Sequence, residues 1–207
     1  MKKINYLFIA VIAISAAFKS CSGGGSGSGS SKGLNGTFVG SPHGSNASAT
    51  FSGNRIKLAT EGYDTTLEGV YELVEEYKED DFSRGNLIVT DREGQNEMSY
   101  VLEGKGKMLT LNYQIFIKEG TKRGGAFPDG IYEGGYSSSF TFTGNKFESD
   151  YISGTYELFV IEPKGNGNSI GAIKLTYEES DKIVSYMQRY QLDGDKLTIR
   201  GETYTKR

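Results

Sequence analysis

Cys21 and His43 are each the single residue of its type in a chain of 207, and that count removes much of the chemistry side chains can do. One thiol makes no disulfide within the chain, and zinc-type sites built on several Cys or His are excluded. His43 stands in Ser41-Pro42-His43-Gly44, a loop sequence, with no matching histidine at the corresponding place later on. A Ser/His/Asp device needs a partnered base, so this reads as a polar loop side chain. Carboxylates cluster at Glu75, Glu76, Glu79, Asp80 and Asp81. Such a cluster suits a hard divalent ion, but its spacing lacks the glycine-punctuated ladder of a calcium loop, and it reads as a solvated loop between two strands. Gly104-Lys105-Gly106-Lys107 lacks the remaining glycine and Ser/Thr of a phosphate cradle. The expectation is no catalytic residue, no metal, no cofactor and no enzyme.

Tyrosine is the side chain left with binding potential. There are 14 Tyr and 11 Phe with no Trp, and the later half holds Tyr132, Tyr136, Tyr151, Tyr186 and Tyr190, the weak candidates for a ligand-binding face. A tyrosine offers large contact area and a polar tip, useful against glycans or proteins. The competing reading places most of them in a core with their hydroxyls reaching water.

Two lysines and an apolar run from Tyr6 to Phe18 precede Cys21. The run is too short to cross a bilayer, which takes about 20 residues, and it has the length of an export signal's hydrophobic region. With Phe18-Lys19-Ser20-Cys21 at its end, the segment resembles a bacterial lipoprotein signal. The resemblance implies that residues 1–20 are removed, that Cys21 is the lipidated N-terminus, and that the protein sits in the cell envelope, at the outer membrane. Residues 21–33 then form the lipidated cysteine and a Gly/Ser tether, which cannot bury apolar surface and reaches roughly 20 Å as a flexible coil. Without its first 20 residues the chain carries a net charge of about −6. With no basic cluster, nucleic acid is excluded as a partner, and the membrane is reached only through the lipid.

Beyond the tether the chain repeats itself. Phe51-Ser52-Gly53-Asn54 recurs as Phe142-Thr143-Gly144-Asn145, and Gly69-Val70-Tyr71-Glu72-Leu73 as Gly154-Thr155-Tyr156-Glu157-Leu158. Gly85 to Thr90 matches Gly171 to Thr176, and Leu102-Glu103-Gly104 matches Leu192-Asp193-Gly194. Matches in one order at a near-constant spacing indicate duplication. Residues 34–120 form one copy and residues 126–207 the other, with a polar glycine-rich joint between.

Alternation such as Tyr156, Leu158 and Val160 against Thr155 and Glu157 indicates strands with one buried face. Gly53-Asn54, Gly144-Asn145, Glu103-Gly104 and Asp193-Gly194 suit hairpins, while Gly165-Asn166-Gly167-Asn168 reads as a flexible loop. The fold class is all-β: two tandem antiparallel meanders, each a small barrel or part-barrel of about six to eight short strands. Two separate barrels are the first choice and one joint barrel the alternative. The Gly-Thr-Tyr-Glu-Leu strand and the Tyr-x-Leu-Asp-Gly-Asp-Lys-Leu-Thr-Ile hairpin are similar to the small lipocalin-like domains of bacterial envelope lipoproteins. That resemblance implies a fold and no functional residue. The expected function is non-enzymatic: a lipid-anchored protein binding a small molecule, a glycan or a protein. The alternative is a structural or host-contact surface protein with no ligand cavity.

Overall fold

A computed structural model describes residues 33–41, 44–62, 66–135 and 138–207. Cys21, the signal segment, His43 and Tyr136 lie outside the described residues. Among the described residues sixteen strands form two closed antiparallel barrels of eight strands each. The first is an up-and-down meander: β1 (Gly36–Gly40), β2 (Ala47–Ser52), β3 (Arg55–Thr60), β4 (Thr66–Glu79), β5 (Phe82–Thr90), β6 (Gln95–Glu103), β7 (Met108–Leu111) and β8 (Gln114–Lys118). It closes by pairing β1 with β8, Phe38 opposite Lys118. The second runs β9 (Gly130–Glu133), β10 (Ser139–Thr143), β11 (Lys146–Ser149), β12 (Ser153–Gly165), β13 (Asn168–Glu179), β14 (Lys182–Asp193), β15 (Lys196–Ile199) and β16 (Glu202–Lys206). Here β16 closes on β9, with Lys206 opposite Tyr132.

The sequence repeats fall on corresponding strands. Gly53 and Gly144 sit at the first position of the β2–β3 and β10–β11 turns with φ of 59° and 58°, the left-handed backbone a two-residue hairpin of this type demands. Tyr71 and Tyr156 occupy β4 and β12, and their amides donate to Asn54 and Asn145 carbonyls at 2.8 and 2.9 Å. Leu109 and Leu197 occupy β7 and β15, both fully buried. Gly85 and Gly171 show why the repeat keeps glycine. A Cβ at Gly85 would meet the Val74 carbonyl oxygen at 2.0 Å, and one at Gly171 the Phe159 oxygen at 1.9 Å. Both follow a bulge in the neighbouring strand, between Glu75 and Tyr77 in β4 and between Val160 and Glu162 in β12. Bulges increase local twist and let a sheet coil into a barrel.

Each barrel interior is filled by its own wall. Phe38, Phe51, Tyr71, Leu87 and Tyr100 pack in the first, and Tyr132, Phe142, Tyr156, Ile173 and Tyr190 in the second. Phe127, from the segment before β9, enters the second core and meets Phe142 edge-on at 5.0 Å and Tyr190 at 5.2 Å.

Four local expectations are corrected. The acidic run is not a loop. Glu75, Glu76 and Glu79 lie in β4, a 14-residue strand, and only Asp80 and Asp81 turn the chain. Pairing with β5 through Glu79 opposite Phe82 extends this hairpin as an arm, because backbone bonding continues after inward burial has stopped. Gly165-Asn166-Gly167-Asn168 is a tight turn, with Gly165 opposite Asn168 and positive φ at Asn166 and Gly167. Glu103-Gly104 opens a four-residue connection to Met108 rather than a two-residue one. The strands are also not uniformly short, since β12, β13 and β14 have 13, 12 and 12 residues.

Candidate functional site: the junction of the two barrels

The barrels meet through residues that point out of their own walls. Met108 and Ile117, opposite one another on β7 and β8, form a buried cluster with Ile161, Ala172 and Met187 of the second barrel. Strand alternation explains the arrangement: Leu109 and Phe116 face inward, so Met108, Ile115 and Ile117 face outward and need a second cover. Polar contacts frame this patch. The Arg189 guanidinium donates to the Glu103 carboxylate at 3.2 Å, and the Lys107 ammonium donates to the Ile161 carbonyl at 3.4 Å.

The joint between the repeats takes part as well. It carries a short strand-like stretch that lies along β12 beyond the end of β11. The Gly124 amide donates to the Leu158 carbonyl at 2.7 Å and the Val160 amide to the Lys122 carbonyl at 3.2 Å, with Arg123 opposite Phe159. Arg123 also pairs with Glu157 at 2.9 Å.

Beside this joint opens a cleft of about 690 Å³, with Val39, Ala47, Ile117, Phe159 and Met187 among its apolar lining. Arg123 and Lys174 bring cationic groups to it, and Glu61, Glu119 and Glu157 carboxylates; Lys118 also lines it, but its side chain shares the inward face of Phe38, opposite which it stands. Glu61 accepts from the Asn46 amide at 2.7 Å and Glu157 is engaged by Arg123. Lys118 lies over the Phe38 ring at 6.0 Å, and neither it nor Lys174 makes an ion pair among the described residues. An apolar lining with the unpaired Lys174 ammonium beside it can hold an amphiphile with a charged head.

The tyrosines singled out from sequence are not gathered into one face. Tyr132 and Tyr190 are core residues. The Tyr132 hydroxyl donates to the Pro128 carbonyl at 3.0 Å, and that of Tyr190 lies 3.1 Å from the Ser169 hydroxyl. Tyr151 stands alone at 94 % exposure between β11 and β12. Tyr186 stacks on Tyr177 with ring centres 5.8 Å apart. Burial raises the Tyr190, Tyr132 and Tyr204 phenols above their ordinary value, Tyr204 being held up further by its hydrogen bond to Glu202. It pushes that of Tyr156 up to about 12, against the lowering effect of the Phe127 amide. These are protonated structural hydroxyls at neutral pH. The junction was missed from sequence, although one signal for it exists: Ile115-Phe116-Ile117 is apolar on both strand faces, the pattern of a strand covered on both sides.

No family model, no curated protein and no solved structure matches this chain.

Proposed function

We propose that the chain is a lipid-anchored protein of the bacterial cell envelope that works by binding rather than catalysis, with its ligand taken between the barrels and not inside them. One observation carries the location: both interiors are occupied by aromatic side chains, whereas the junction keeps an open cleft with Lys174 at it. The anchor rests on Cys21 and the signal-like segment before it. A carboxylate-bearing amphiphile fits the cleft, its tail toward Ile117 and Met187 and its head toward Lys174.

Octanoate is a suitable probe. Its addition should shift the methyl resonances of Ile117 and Met187, and Lys174→Glu should weaken the response. Shifts confined to Leu87, Leu109, Ile173 and Leu197 would place the ligand in the interiors and overturn the location. For the anchor, Cys21→Ser should move the protein from the membrane fraction to the soluble one, because acyl chains contribute about 0.8 kcal/mol per buried CH₂ and an acidic body adds no attraction. Retention of the Ser variant in the membrane would refute it. A second reading, a scaffold without a ligand, draws on the same packed interiors and expects no octanoate response at either place.

A further inference from the structure

The duplication supplies an internal comparison, because one sheet edge is covered in the second barrel and, among the described residues, uncovered in the first. In the second barrel, β12 outruns β11, whose pairing ends with Lys146 opposite Thr155. The exposed edge beyond is taken by Lys122-Arg123-Gly124 through the two backbone bonds at Leu158 and Val160. In the first barrel, β4 outruns β3 in the same way, with pairing ending at Arg55 opposite Val70. Beyond Tyr71, whose amide donates to Asn54, β4 pairs only with β5 among the described residues. Leu73 matches Leu158 and Glu75 matches Val160. Peptide groups alternate in direction along an antiparallel strand, so the Leu73 carbonyl and the Glu75 amide face that edge, unpaired among the described residues.

The side chains along it show what it fits. Glu72 stands where Glu157 binds Arg123, and Val74 stands where Phe159 lies opposite Arg123. Val74 is 41 % exposed and Val70 44 %. The arm pairs Lys78 with Glu75 at 3.0 Å and Lys105 with Asp81 at 3.7 Å, and Glu72 and Glu76 take part in neither pair. Glycine fits the position of Gly124 without displacement, where a Cβ would press on Leu158 and Val160 side-chain atoms at 3.0 Å.

We propose that the β4 edge is a docking site for an extended basic segment of another protein, of the type basic–basic–glycine, which adds to the first barrel as residues 122–124 add to the second. The added strand donates its glycine amide to the Leu73 carbonyl, accepts from the Glu75 amide, and sets its second basic side chain over Val74 against Glu72. Strand addition of this kind takes affinity from main-chain bonds and selectivity from alternate side chains. No β4 residue lines the cleft, so this inference stands or falls separately from the proposed ligand site.

The test uses the full-length chain and an acetylated, amidated peptide Gly-Thr-Lys-Arg-Gly-Gly-Ala, the sequence of residues 120–126. Titration should shift the amide resonances of Leu73, Val74 and Glu75, with an effect that weakens as salt is added. Glu72→Lys should weaken the peptide about fivefold, the scale of one exposed ion pair turned to repulsion. A peptide N-methylated at the glycine after Arg removes the donor without altering the protein, and its binding should be lost. The proposal is overturned if Lys and Arg can be replaced by Glu without effect, or if the N-methyl peptide binds as well. It is equally overturned if the Glu75 amide is already protected from exchange in the free chain, or becomes protected with rising protein concentration, since the edge is then occupied by this chain or a second copy.

Discussion

Phe127 lies outside the strand order, yet the second barrel depends on it. Its ring packs edge-on to Phe142 at 5.0 Å and Tyr190 at 5.2 Å and stacks on Tyr156 at 5.5 Å, and it is 2 % exposed. Replacing a buried phenylalanine by alanine costs about 3–5 kcal/mol, and three aromatic partners put Phe127→Ala at about 4–5 kcal/mol. Its backbone amide still donates to the Tyr156 hydroxyl, now 2.9 Å away, so the loss comes from packing. Against a domain stability of about 5–15 kcal/mol this is a large fraction. Hydrogen exchange in rising urea separates the two halves. Amides of β9 to β16 should lose protection by that amount, while those of β1 to β8 keep theirs, because the first core draws on its own residues. A loss under about 1 kcal/mol would show that Phe127 merely covers the barrel end. An equal loss in β1 to β8 would show that the two barrels unfold as one unit.

Four further substitutions or conditions probe other parts of the structure. Ile117→Asp places a carboxylate in the junction cluster, where Ile117 is 1 % exposed; small-angle scattering should show a larger radius of gyration with both barrels' interior amides still protected. Gly171→Ala must displace the Phe159 carbonyl from a 1.9 Å overlap and should cost about 1–3 kcal/mol in urea unfolding. Gly167→Ala, with open space around it but a φ of +80°, should cost about 1 kcal/mol. Alkaline titration should destabilise the protein. Tyr156 ionises near 12 when folded and near 10 when unfolded, so its contribution is complete below about pH 10 and is lost as pH rises to 12. Constant stability across that range would contradict the buried placement of this phenol.

Much of the architecture was legible because hairpin chemistry and strand alternation are local. Phe142-Thr143-Gly144-Asn145 specifies a strand end and a turn wherever it stands, and Tyr156 and Leu158 specify an inward face. The arm was not legible. Glu75, Glu76 and Glu79 carry no inward apolar partner, and their strand conformation comes from β5, which local sequence does not name. The short strand at Lys122-Arg123-Gly124 was hidden for the same reason: its residues are turn-like by composition and are extended by the free edge of β12. For the tyrosines, ring size and spacing are the same for a core and a binding face. Only closure of β16 on β9 puts Tyr132 inside.

In each ring the first and last strands are neighbours: Phe38 lies opposite Lys118, and Tyr132 opposite Lys206. Such a ring has no obligatory beginning. A short linker across β1 and β8 would allow the chain to be cut at the β5–β6 turn, where Asp91 accepts from the Glu93 and Gly94 amides, and the circularly permuted barrel would keep every strand pairing. The same adjacency makes tandem growth simple. A copied unit leaves its predecessor beside the place where it began, so the eleven residues from 119 to 129 suffice to lead from one closed ring into the next.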